Sequence, residues 1–303
     1  GMLRGLAAVR GENERAGVRV VLAHFDDAGD LAAFDLAYVA RVVEPLIQIT
    51  MQFSLLQQSV IAAARVNTLL KEPAPPATLQ KRRIEAGSVD VVDVSFGYDA
   101  AAPVLHDVSL AVPAGGFVGI VGHTGSGKST LLSLLLRFYR PQAGRIEIGG
   151  IPVEQLGDAE FRADVGLVPQ EPFLLAADAY ENIDMGRGLP EAVIVAAAKA
   201  ARAHAFIERL ERGYRTPLGE GGARLSSGEK QLVAVARALA GQPRVLFLDE
   251  ATSRIDSETE QHVQAALAEL RGRTTVIAIA HRLSTIRAAD TIVVLNHGRI
   301  AER

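Results

Sequence analysis

Gly122-His123-Thr124-Gly125-Ser126-Gly127-Lys128-Ser129-Thr130 is the stretch that decides the fold. It satisfies G-x-x-x-x-G-K-[ST] in full, and it lies between an apolar strand run, Phe117–Val121, and an apolar helical run, Thr130–Phe138. Glycines let the backbone wrap closely around phosphate oxygens and adopt positive φ. Free N–H groups at the following helix N-terminus point at the anion, and the helix dipole favours it. Lys128 is expected to meet β- and γ-phosphates and Ser129 to ligate Mg²⁺. Gly122, Thr124, Gly125, Ser126, Gly127 and Thr130 complete the expected nucleotide contacts. The bland alternative is a glycine-rich turn that binds nothing; the complete strand–loop–helix context weighs against it.

Arg244-Val245-Leu246-Phe247-Leu248-Asp249-Glu250 reads as the other half of the site. An apolar run forms a buried strand, and two carboxylates emerge at its C-terminal end, where ligand sites of parallel sheets lie. Asp249 is expected to hold Mg²⁺ through water. Glu250 is placed to polarise the attacking water as a general base. A lone Asp-Glu pair is usually solvated surface, but here it follows a buried strand in a chain that already carries a phosphate loop.

From Ser88 onward, β-branched runs alternate with helical patterns. Strands are expected at Val89–Val94, Phe117–Val121, Val165–Val168, Val245–Leu248, Thr275–Ala280 and Thr291–Leu295. Helices are expected at Thr130–Phe138, Glu191–Leu210, Glu229–Ala240 and Glu258–Leu270. This alternation predicts an α/β domain with a largely parallel core sheet.

Further motifs narrow the reading. Leu225-Ser226-Ser227-Gly228-Glu229-Lys230-Gln231 resembles the LSGGQ signature of ABC cassettes. Gln170, in Val168-Pro169-Gln170-Glu171-Pro172-Phe173, resembles the Q-loop glutamine. Ser253-Arg254-Ile255-Asp256 sits where that family has its D-loop. His281, in Ala280-His281-Arg282-Leu283-Ser284, resembles the switch histidine, and Tyr98, in Phe96-Gly97-Tyr98, the aromatic that stacks on adenine. Singly each has an ordinary structural explanation; together they occur in the family's order and spacing. The resemblance covers residues 88–303 and implies a P-loop NTPase cassette: a RecA-like core with a parallel sheet, an antiparallel β subdomain and a helical subdomain. It implies ATP and Mg²⁺ as cofactors, Gln170, Glu250 and His281 as catalytic residues, and Ser129, Gln170 and Asp249 around the metal. Tyr98, the loop residues above, Ser226, Ser227, Gly228 and Asp256 are the implied nucleotide contacts.

Tyr214-Arg215-Thr216-Pro217-Leu218-Gly219-Glu220 resembles the loop ahead of the signature in exporters. Val121-Gly122-His123-Thr124-Gly125 and Ile255-Asp256-Ser257-Glu258-Thr259-Glu260 are most similar to MdlB-like subunits of heterodimeric multidrug exporters. Two departures stand in the signature: Ser227 replaces the second glycine and Glu229 the glutamine. They bear on how this signature serves a partner's ATP.

Residues 30–71 read as one long helix containing Pro45. Pro45 to Ala64 carry no formal charge, yet Gln48, Thr50, Gln52, Ser54, Gln57, Gln58 and Ser59 fall within that stretch. A lipid-bathed single span rarely carries so many polar groups. Composition leaves two readings open: a membrane helix facing other helices or a water-filled cavity, and an amphipathic helix packed on a partner. The segment resembles the last transmembrane helix of ABC exporters and its cytoplasmic extension, which favours the first. At ~1.5 Å per residue it reaches some 60 Å. Residues 72–87 read as a linker, with Glu72-Pro73-Ala74-Pro75-Pro76 as a helix breaker and Lys81-Arg82-Arg83 as a basic cluster. Residues 1–29 stay unassigned; Gly1-Met2 reads as a scar ahead of a start methionine. The exporter pattern has six membrane helices before the cassette and further helix after the last strand. The chain is accordingly expected to be a fragment, or a reading frame that lost its earlier helices.

Composition agrees. The 303 residues exceed one small domain, and 49% hydrophobic content supports a folded core. A formal charge of -3 gives no basis for nucleic-acid binding by bulk positive charge. The absence of cysteine excludes disulfides and thiolate metal sites. The expected partners are a second ABC half-transporter, heterodimeric in preference to homodimeric, a membrane, and a transported small molecule. The expected location is the cytoplasmic face of the cell membrane. Competing readings are a stand-alone ATPase subunit of an importer, a soluble ABC protein acting on nucleic acid or ribosomes, and a non-hydrolysing regulatory partner. The fused helix, the single cassette without a coiled-coil insertion, and the pair Glu250 and His281 argue against these in turn.

Overall fold

A computed structural model describes residues 28–71, 83–99, 102–249, 257–280 and 286–303. The chain divides into two units, Gly1–Pro75 and Pro76–Arg303.

The first unit contains helix α1 (Ala28–Leu70), 43 residues long with Pro45 inside it. Leu46, Ile47, Ile49, Met51, Phe53, Leu55, Leu56, Val60 and Ile61 are all exposed. The hydroxyls of Thr50, Ser54, Ser59 and Thr68 donate to the carbonyls four residues earlier, at 2.9–3.0 Å. They therefore satisfy themselves inside the helix. Among the described residues no helix is long and apolar enough to cross a membrane. The amides and hydroxyls between Gln48 and Ser59 are what lower the apolarity of this one.

The second unit holds two sheets. One is antiparallel, in the order β2 (Leu105–Val112), β1 (Val89–Phe96), β4 (Ala143–Ile148), β5 (Ile151–Pro152). The other runs β10 (Arg299–Glu302), β9 (Thr291–Asn296), β3 (Phe117–Val121), β8 (Thr275–Ile279), β7 (Val245–Asp249), β6 (Val165–Val168). It is parallel except for the β9–β10 hairpin.

Side chains of the parallel sheet alternate between two cores. Phe117, Leu246, Leu248, Val276 and Ala278 join a helical core. That core includes α4 (Ala179–Asp184), α5 (Glu191–Ala200), α6 (His204–Glu208) and α7 (Ser227–Ala240). Val118, Ile120, Val245, Phe247, Ile277 and Ile279 face the other core, shared with the antiparallel sheet and with α2 (Lys128–Leu135). Burial on both faces is why these strands read as unbroken apolar runs. Helices α3 (Asp158–Asp164) and α8 (Ser257–Glu269) complete the described set.

The expected helix Glu191–Leu210 is in fact two. Arg202 takes φ 60°, and its neighbour Ala203 donates to Ala198 O at 2.7 Å, which closes α5 before α6 begins. Ala201 and Ala203 are fully buried at this break.

Candidate nucleotide site

The phosphate loop leaves β3 and enters α2. Gly122 has φ 157°, and a Cβ there would stand 2.1 Å from the Leu295 carbonyl oxygen. Gly127, at φ 105°, is the N-cap of α2, and its missing Cβ would press on Leu105 at 2.7 Å. Gly125 also has positive φ, 80°, and faces open space. The loop is thus glycine for backbone shape at all three positions, and for close packing at two.

Lys128 is buried, and its Nζ donates to Gly122 O at 2.8 Å and His123 O at 3.0 Å, so the ammonium closes over the loop. Gly127 provides no side-chain cap to α2, and no acidic residue lies in the first turn. An N-terminus without a side-chain cap or an acid of its own suits an anionic ligand. The Ser126 hydroxyl is buried without a hydrogen-bond partner among the described residues. Ser129 is exposed in the first turn.

The loop is tied to the β9–β10 hairpin. His123 Nε2 pairs with Asn296 Oδ1 and Nδ1 with Thr124 O, both at 2.8 Å, and its ring lies 5.0 Å from that of His297. Gly298 N–H donates to Ser126 O at 3.0 Å.

Asp249 ends β7. It is level with Ile279 of β8, and Ile279 is level with Ile120 of β3. The register therefore brings the carboxylate to the same sheet edge from which the loop emerges. Gln170 follows β6 at that edge, two residues after Val168, which pairs with Leu248. A hydroxyl and a carboxylate are hard oxygen donors of the kind Mg²⁺ takes together with phosphate oxygens, so Ser129 and Asp249 fit that ion. Among the described residues no group of three or more His, Cys, Asp or Glu could hold a metal by itself. Glu250, Asp256 and His281 lie outside the described residues.

Tyr98 is 58% exposed and leans on α2, its hydroxyl 3.4 Å from Thr130 Oγ1. Edge contacts with Phe96 and Tyr139, at 5.2 and 5.1 Å between ring centroids, hold the ring.

The signature begins α7. Ser226 is the N-cap: its hydroxyl accepts from Glu229 N–H at 3.2 Å, and Glu229 Oε2 accepts from Ser226 N–H at 2.8 Å. Position 229 thus serves a capping box, and the pattern S-x-x-E was available in the sequence. Gly228 packs on α8, where a Cβ would stand 2.4 Å from Thr259 Oγ1. Ser227 is exposed at the start of the helix. Two α7 side chains reach the segment after β6: Gln231 Nε2 donates to Pro169 O at 3.3 Å, and Arg237 Nη1 to Phe173 O at 2.8 Å. Burial, and then the nearby Arg187, hold the Arg237 guanidinium below its usual pKa.

Residues 105–253 match the family described as ABC transporter. The chain is 42% identical over 285 residues to the ATP-dependent lipid A-core flippase of Saccharophagus degradans, covering 93% of this chain and 49% of the flippase. It is 38% identical over 277 residues to the multidrug resistance-like ATP-binding protein MdlB of Buchnera aphidicola subsp. Schizaphis graminum, covering 91% and 48%. A solved bacterial Atm1-family ABC exporter with ATP bound superposes with a TM-score of 0.73 at 40% identity, over 91% of this chain and 49% of that one. The chain spans about half the length of the relatives it matches. Its phosphate loop, signature helix and two-sheet architecture carry the same assignment: this is an ABC transporter ATP-binding cassette of the exporter type.

Proposed function

We propose that the chain is the ATP-hydrolysing nucleotide-binding part of an ABC exporter, and that it hydrolyses ATP at composite sites formed head to tail with a second cassette. The observation that carries this reading is the uncapped N-terminus of α2 with Lys128 folded over its glycine loop, facing the sheet edge that bears Asp249. In this reading Lys128 and the loop N–H groups hold the β- and γ-phosphates, and Tyr98 stacks on adenine. Ser129, Asp249 and Gln170 would hold Mg²⁺, which would supply neutralisation of phosphate charge. Glu250 takes the proton of the attacking water while His281 holds the γ-phosphate; positioning and charge neutralisation supply most of the rate.

Ser226, Ser227 and Gly228 cap the partner's nucleotide, and Asp256 lies at the same junction. Gln170 reports the state of the γ-phosphate to the membrane part, an ATP-biased two-state switch. A heterodimer is favoured, because a homodimer would use the Ser227 and Glu229 departures twice. Residues 30–71 belong among other membrane helices, since amides such as those of Gln48, Gln52, Gln57 and Gln58 rarely face lipid, and the cassette lies at the cytoplasmic face. The transported cargo is a drug-like or lipid-like small molecule.

The test is Glu250→Gln, which keeps shape but cannot accept the proton. It is expected to bind Mg-ATP as the wild type does, to hydrolyse it at least ~10²-fold more slowly, and to accumulate as a closed pair with an exporter partner. Near-normal turnover in that pair would falsify Glu250 as the base.

A further inference from the structure

Gln142 follows α2 and precedes β4. Its backbone N–H donates to Ser95 O at 3.0 Å. Its side-chain amide lies against the Gly97 peptide: Nε2 donates to Gly97 O at 2.9 Å, and Gly97 N–H donates to Oε1 at 3.0 Å. Both bonds require one amide orientation, because exchanging O and N would set donor against donor and acceptor against acceptor. Gly97 admits no side chain, since a Cβ there would stand 2.6 Å from Ala102 O and 2.8 Å from Asp99 O. Position 97 is thus backbone alone, gripped on both polar groups by Gln142.

Tyr98 is the next residue. Its ring is set by edge contacts with Phe96 and Tyr139, themselves 5.5 Å apart, and by its hydroxyl at Thr130. Tyr139, like Gln142, comes from the turn that follows α2, the helix that starts at the phosphate loop. The turn after the phosphate-binding helix therefore reaches back and fixes the ring that faces the base.

We propose that Gln142 is a positioning residue for the base end of the nucleotide: by holding the Gly97 peptide it sets the direction in which Tyr98 presents its ring. The proposal rests on the reading that Tyr98 stacks on adenine. It acts through Tyr98 alone, so it touches base recognition and leaves phosphate recognition intact.

The experiment is calorimetric titration of the 303-residue chain with Mg-ATP and, separately, with Mg-tripolyphosphate, which offers the phosphates without a base. Gln142→Ala is expected to weaken ATP binding about three- to tenfold, the range for losing modest hydrogen bonds, and to leave tripolyphosphate binding within about twofold. Gln142→Asn keeps the amide but is too short to reach both Gly97 groups, and is expected to follow the alanine variant while retaining the wild-type circular dichroism spectrum. In a Tyr98→Ala background, Gln142→Ala should cost nothing further. Equal losses for both ligands, undiminished ATP affinity, or a full additional loss in the Tyr98→Ala background would each overturn the proposal. A Tyr98→Ala variant with wild-type ATP affinity would instead overturn the stacking reading beneath it.

Discussion

The N-termini of α2 and α7 meet the same physical problem in opposite ways. Both helices begin with unsatisfied N–H groups and a positive dipole end. At α7 the chain answers from within: Ser226 caps, Glu229 caps back, and its carboxylate is the acid of the first turn. At α2 the cap is a glycine with φ 105°, the first turn has no acid, and it opens with the cation Lys128. One terminus is capped by side chains of its own first turn. The other has no such cap and no acid of its own, an arrangement that suits an anion.

The contrast can be broken most sharply at Lys128. Lys128→Ala removes a charge-assisted contact, and Mg-ATP affinity is expected to fall about 10- to 100-fold, from ~1.5–3 kcal/mol per such bond. The circular dichroism spectrum should stay native. Titration reads both, and unchanged affinity would remove α2 from the phosphate site.

Gly228→Ala tests the closed terminus. Its Cβ would overlap Thr259, and overpacking of this kind costs about 1–3 kcal/mol. Denaturant unfolding should show that loss with little change in the chain's own ATP affinity. Ser226→Ala removes a cap and should cost ~1 kcal/mol in the same assay. Glu229→Gln is the smallest step, because glutamine also serves the capping box. Stability should stay within about 0.5 kcal/mol. If an acid at 229 hinders a partner's γ-phosphate, ATPase of a mixed pair should rise; a loss of more than about 1 kcal/mol in stability would show that the carboxylate charge does more than cap.

The parallel sheet was legible because burial on both faces leaves unbroken apolar runs: Phe117–Val121 and Val165–Val168 have the bounds expected. The antiparallel sheet was harder to read. β2 escaped notice because Asp107 sits at φ 51° in a bulge that breaks the two-residue period of its burial. β4 opens with three exposed residues, Ala143, Gly144 and Arg145. In the site, the loop and Asp249 announce themselves by local pattern. The hold of Gln142 on Gly97 joins residues 45 apart, and no local period marks such a contact. Glu229 stood out as a departure from the signature, although Ser226-x-x-Glu229 also spells a capping box.

Strand β8 lies between β3 and β7, and all of Thr275–Ile279 is buried. Its amides are shielded by strands on both edges and by a core on each face, so their exchange with deuterated water should wait for the whole unit to open. A ligand that binds only the folded state lowers the population of the opened state by the factor 1 + [L]/Kd, and exchange through it slows in proportion. The exchange lifetimes of these five residues are therefore a built-in gauge of nucleotide affinity, readable without turnover, a partner or a membrane.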